Sequence, residues 1–177
     1  MIRIFLIASL IISNFILAEY TNSNGKALEK PFKDLIKWVR SDVEPKLAQI
    51  DVSSEWQTIN LNEADNYIIW IGHSTFLIKK EGITILTDPV FSDRASPFKN
   101  VGPERLIPPA MSIDQLPKID FVTVSHNHYD HLDINSLKEI SKLHSEAIFF
   151  VPIGDGKLLK RKRIKNVYEF NWWESYS

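Results

Sequence analysis

An α/β domain is the fold class this sequence predicts, and three observations predict it. From Tyr67 onward, short apolar runs rich in β-branched and aromatic residues alternate with segments of helical spacing. Their order in the second half, strand, helix, strand, helix, strand, is that of an α/β layer. The composition agrees, with 44% hydrophobic and 24% charged residues over 177 positions, enough for one sizeable core.

The first eighteen residues stand apart. Arg3 is their only charged side chain, and Ile4 to Leu17 is apolar except for Ser9, Ser13 and Asn14. With a small residue at Ala18, this reads as a secretory signal peptide, shorter than the ~20 apolar residues of a membrane span. An uncleaved anchor is the other reading. Residues 19–66 are read as a linker, polar from Glu19 to Glu29, and an amino-terminal helix. Pro31 suits the first turn of that helix, Phe32, Leu35, Ile36 and Val39 share one face, and Pro45 ends or kinks it. The α/β domain is expected over residues 67–177.

Within that domain, Tyr67–Ile71, Thr75–Ile78 and Ile83–Thr87 are predicted strands, with Lys80-Glu81-Gly82 as a hairpin turn. Phe91 to Pro117 is predicted as a long loop, with Pro97, Pro103, Pro108 and Pro109, and long loops are often functional. Phe121–Ser125 is a short buried strand. Asp133 caps a helix carrying Ile134, Leu137 and Ile140. Ala147–Val151 is the next strand, Gly156–Lys162 a short helix and Asn166–Phe170 the last strand.

Charge and cysteine content narrow the chemistry. A formal net charge of -1 gives no global reason to expect a nucleic acid or an anionic membrane surface as partner. With no cysteine, disulfides, thiolate nucleophiles and Cys-based zinc sites are excluded. A metal must then be held by histidine and carboxylate. The run His126-Asn127-His128-Tyr129-Asp130-His131 offers three imidazoles and a carboxylate directly after a predicted buried strand. In an extended loop, His126 and His128 aim the same way, and Asp130 and His131 lie one turn on, able to face a second metal. Metal binding is the reading of this loop.

These residues resemble a known family. The loop, with Gly72-His73-Ser74-Thr75-Phe76-Leu77, Thr87-Asp88-Pro89-Val90-Phe91-Ser92 and Arg94-Ala95-Ser96-Pro97, resembles the metallo-β-lactamase superfamily. Ser125 to Asp133 is most similar to the branch of N-acylphosphatidylethanolamine-hydrolysing phospholipase D and its bacterial relatives; sugar-phosphate lactonases are also similar. Gly102-Pro103 with Arg105, and Trp172-Trp173-Glu174, support the same branch. The resemblance implies the amino-terminal half of a four-layer αββα sandwich, so that residues 67–177 form a partial domain.

By the same resemblance, His126 and His128 bind one zinc, Asp130 and His131 bind a second, and Asp130 is also the catalytic carboxylate. The family completes its two-zinc site with a third His, a bridging Asp and a final His, and after His131 this chain has only His144, on the helix beyond the loop. The implied function is zinc-dependent hydrolysis of a phosphodiester in a phospholipid or related phosphoester. The implied partners are a membrane surface and a complementing carboxy-terminal polypeptide. The alternatives are an inactive truncated or split-gene fragment, or a lactonase-type member. The signal peptide places the protein in the periplasm or cell envelope.

Other residues are weighed separately. His73 and Asp88 are read as structural, His73 packing or hydrogen-bonding at a strand start and Asp88 fixing the turn before Pro89; support of the metal ligands is the alternative. The run Lys157, Lys160, Arg161, Lys162, Arg163 and Lys165 is read as a solvated helix face, against contact with anionic headgroups. Trp172 and Trp173 are read as core, against an interfacial anchor.

Overall fold

Alternation of side chains in the strands sets the architecture. The computed structural model describes residues 53–98 and 100–176, together with Lys33, Asp34, Ile36 and Lys37. Strands β1 (Tyr67–Gly72), β2 (Thr75–Lys80) and β3 (Ile83–Thr87) form an antiparallel meander. Glu81 and Gly82 turn β2 into β3 with φ of 52° and 82°. Two successive positive φ values define the two-residue hairpin whose twist matches its strands, and glycine carries the second at no steric cost. Strands β4 (Phe121–Thr123), β5 (Ile148–Pro152) and β6 (Val167–Phe170) then add in parallel, giving a six-stranded sheet in the order β1-β2-β3-β4-β5-β6.

Helix α1 (Ile134–Leu143) connects β4 to β5, and α2 (Gly156–Arg161) connects β5 to β6. Crossovers between parallel strands are right-handed, so two that step in the same direction put both helices on one face. There Leu137, Ile140 and Leu159 share a single core with Leu77, Leu86 and Phe149. Asp133 caps α1 as its sequence predicts: Oδ1 accepts the backbone N–H of Asn135 at 3.0 Å and of Ser136 at 3.4 Å.

The opposite face is also apolar. Ile68 is 72% exposed, Trp70 48% and Tyr168 44%, and these alternate along their strands with buried Tyr67, Ile69 and Val167. The ring of Tyr176 lies against Phe150 and Tyr168, and the rest of this face is largely open among the described residues. A mixed sheet with helices on one face is the α/β layer the sequence predicts, and it matches one half of the αββα sandwich that the resemblance implies.

Three expectations change or fall outside the description. The loop from Phe91 to Pro117 is not without regular structure: Arg94 bridges to Glu104, and Ile113–Gln115 forms a 3-10 turn. Trp172 and Trp173 are 59% and 89% exposed rather than core, because they lie in a turn beyond the end of β6. The expected leader at residues 1–18 and the linker from Glu19 to Glu29 lie outside the described residues, as do Phe32, Leu35, Val39 and Pro45 of the expected helix; Lys33, Asp34, Ile36 and Lys37 are helical and exposed. Among the described residues no helix is long and apolar enough to cross a membrane.

Candidate metal centre

Strand direction decides which loops meet. β1 runs parallel to β3 through two antiparallel pairings, and β3 to β6 are mutually parallel. The carboxyl ends of β1, β3, β4 and β5 therefore open on one edge, the usual place for ligands in such sheets. His73 lies in the turn after β1, Asp88 follows β3, Ser125 to His131 follow β4 and Asp155 follows β5.

The four predicted ligands converge there in two neighbouring pairs. His126 Nε2 is 3.1 Å from His128 Nδ1, and His131 Nε2 is 3.6 Å from Asp130 Oδ2. The rings of His126 and His131 are 4.0 Å apart between centroids, which joins the pairs. Ligand atoms of His73, Asp130 and His131 all lie within 4.8 Å of one another. Metal–ligand bonds of about 2.0–2.2 Å require donors within a few ångströms of one another, and these imidazole and carboxylate donors meet that for a metal ion.

Hydrogen bonds behind the ligands decide which ring nitrogens are free. Asp88 Oδ1 accepts the backbone N–H of Ser125 at 2.6 Å, and Oδ2 accepts the Ser125 hydroxyl at 2.8 Å. His131 Nδ1 is 2.9 Å from the same Oδ2. A carboxylate can only accept, so His131 carries its proton on Nδ1 and its Nε2 lone pair faces the cluster. The Ser125 hydroxyl donates its hydrogen bond to Asp88, so its oxygen accepts from His126 Nδ1 at 3.0 Å. That leaves the His126 Nε2 lone pair toward His128. Burial first, then the neighbouring His131 and His128, hold the His126 imidazole below its ordinary pKa, against the pull of Asp130 and Asp88. A neutral imidazole is the form that binds metal.

His73 and Asp88 keep their structural contacts and also touch the predicted ligands. His73 Nε2 meets Asp130 Oδ2 at 3.1 Å, held there by a turn in which His73 itself has φ 49°. Asp88 does fix its turn, its carbonyl accepting Thr75 Oγ1 at 2.7 Å, and its side chain also orients Ser125 and His131. The available signal was an ionisable residue directly after each of two apolar strands. His144 lies elsewhere, at the far end of α1 from Asp133, a helix whose ten residues span about 15 Å. Burial pushes its imidazole pKa down.

Comparison with known proteins places this edge in a family. Residues 67–172 match the model of the beta-lactamase superfamily domain. The chain is 43% identical over 119 residues to N-acyl-phosphatidylethanolamine-hydrolyzing phospholipase D 1 of Caenorhabditis elegans, covering 64% of this chain and 33% of the relative. It is 39% identical over 109 residues to the mitochondrial N-acyl-phosphatidylethanolamine-hydrolyzing phospholipase D of Saccharomyces cerevisiae, covering 62% of this chain and 23% of the relative. The chain thus spans a third or less of these curated relatives. A solved possible metal-dependent hydrolase from Veillonella parvula shares the fold, with TM-score 0.51 and 23% identity over 64% of this chain and 44% of that one. Strand order, the clustered histidines and the matched span agree: the chain belongs to the beta-lactamase superfamily.

Proposed function

We propose that this chain supplies four ligands of a two-zinc centre that hydrolyses the phosphodiester of an N-acyl phosphatidylethanolamine or a closely related phospholipid. The observation that carries the reading is the convergence of His126 with His128 and of Asp130 with His131, backed by the Asp88 carboxylate. His126 and His128 would hold one ion, and Asp130 and His131 the other. Zinc held there would lower the pKa of bound water and stabilise charge on phosphoryl oxygens.

The chain's own residues do the rest. Asp88 and Ser125 set the tautomers of His131 and His126, so that each presents a lone pair to the centre. His73 holds the Asp130 carboxylate in place from across the edge. Asp130 acts as ligand and as the catalytic carboxylate. The lipid class is supported by the similarity to the nematode and yeast phospholipases. The basic side chains of α2 and the exposed Trp172 and Trp173 are suited to an anionic membrane surface. An exported, envelope-associated protein would meet that surface directly.

The proposal includes a complementing carboxy-terminal polypeptide that completes the ligand set. Its test is turnover of a labelled N-acyl phosphatidylethanolamine by the full chain mixed with the carboxy-terminal part of the nematode relative. Hydrolysis that a chelator abolishes and zinc restores is expected. Hydrolysis that survives metal removal would refute the reading.

A further inference from the structure

Asp155 occupies the N-cap of α2, yet its side chain makes no bond to that helix. Aspartate at an N-cap ordinarily accepts from its own first turn, as Asp133 does for α1. Asp155 instead reaches across the sheet edge: its Oδ1 accepts the side-chain N–H of Asn127 at 3.0 Å. The residue is only 5% exposed, and Oδ2 has no hydrogen-bond partner among the described residues. A buried acceptor left in this state is unfavourable, and structures keep such groups where something else depends on their position.

The backbone around Asp155 is fixed from both sides. Glu169, on β6, accepts the N–H of Gly154 at 2.8 Å and of Gly156 at 2.7 Å through one oxygen. A Cβ on Gly156 would stand 2.7 Å from Glu169 Cδ, so the approach requires glycine there. The Asp155 N–H bonds to the Pro152 carbonyl at 3.1 Å, and its own carbonyl accepts Leu158 at 3.0 Å. Asp155 is therefore an anchored group, and Asn127 is the exposed residue it restrains.

Asn127 sits between His126 and His128, whose facing nitrogens are 3.1 Å apart. An acceptor-only carboxylate takes the nitrogen end of the Asn127 amide and so settles its orientation. We propose that Asp155 is a positioning residue for the metal centre, fixing through Asn127 the loop between His126 and His128 and thereby the spacing of their imidazoles. The proposal rests on the metal-binding reading of these two histidines. It deepens that reading by tying the loop after β4 to the loop after β5.

The test uses the full chain with cobalt(II) as probe, and four proteins: unsubstituted, Asp155→Ala, Asn127→Asp, and the double variant Asn127→Asp with Asp155→Asn. The first two substitutions remove the bond or set two carboxylates against each other, and cobalt affinity should fall about 10–100-fold. The double variant restores a donor facing an acceptor and should recover to within about threefold. Ring nitrogen–proton correlations of His126 and His128 in the metal-free chain give a second readout. They should shift in both single variants and return in the double one. If the unsubstituted chain takes up no cobalt, the metal reading fails while the ring signals still decide on Asp155. Unchanged ring signals and affinity in the single variants, or a folded double variant as weak as Asn127→Asp, would overturn the proposal.

Discussion

The carboxyl-terminal edge of the sheet and its open face are both surfaces rich in residues that other proteins hide, yet they are organised in opposite ways. At the edge, the functional side chains have named partners at set distances, such as Asp88 on Ser125 at 2.6 and 2.8 Å and His73 on Asp130 at 3.1 Å. On the open face, Ile68, Trp70 and Tyr168 are 72%, 48% and 44% exposed, and what they offer is area. The difference teaches where sensitivity lies. Directional chemistry at the edge should respond to the loss of one atom, while the face should respond to how much apolar surface is removed.

The two sides of β1 and β2 give the largest contrast. Leu77 is 0% exposed, and Leu77→Ala should cost about 2–5 kcal/mol through lost burial and the cavity left behind. Ile68→Ser, on the open face, should change stability by less than about 1 kcal/mol. It should also reduce self-association, since an exposed apolar sheet face favours it. Denaturant unfolding with light scattering checks both. Equal destabilisation by the two substitutions would mean that a layer already covers Ile68.

Asp88→Asn sharpens the account of the edge. The amide keeps the volume but loses the charge that holds the His131 proton on Nδ1. Metal affinity should fall about 10–100-fold, with the far-ultraviolet spectrum unchanged. Competition with a chromophoric chelator measures it. Unaltered affinity would return Asp88 to a purely structural role in its turn.

His144→Gln gives the smallest effect, away from both surfaces. Burial depresses the folded-state pKa of His144 below its unfolded value near 6.5. The unfolded chain then binds more protons in that window, so this group's contribution to stability is full above pH 6.5 and declines as pH falls toward the folded pKa. The glutamine variant should lose less stability than the parent between pH 6.5 and pH 5. Paired thermal melts across that range show it. Identical pH profiles would mean that His144 protonates without penalty in the fold.

Local rules made much of the fold legible. The Glu81-Gly82 turn, the Asp133 cap and the apolar runs of β1 to β6 each depend on neighbours within a few residues, and the strand limits fall within two residues of expectation. The His126–His131 loop was legible for the same reason. His73 and Asp88 were not, because they reach Asp130 and His131 only through the pairing order of the sheet, 57 and 43 residues along the chain. Asp155 resembles an ordinary helix cap in sequence, and only the parallel pairing of β4 with β5 turns it toward Asn127. The 3-10 turn at Ile113–Gln115 did carry a local signal. Ser112 donates its backbone N–H to Gln115 Oε1 at 2.9 Å, the reciprocal cap of a Ser-x-x-Gln start. Trp172 and Trp173 defeated a rule that holds for paired aromatics in general, because they follow the last described strand.

The most direct test of the central claim, that the loop after β4 builds the metal centre, compares two histidines in one experiment. His128→Ala and His144→Ala are each mixed with the carboxy-terminal part of the nematode relative, and zinc content and lipid turnover are measured in parallel. The account predicts that His128→Ala loses most of both, since a ligand is gone and the ion that activates water is loosened. It predicts that His144→Ala keeps both, since that ring sits at the far end of α1. Full zinc and full turnover in His128→Ala, or an equal loss in His144→Ala, would contradict it.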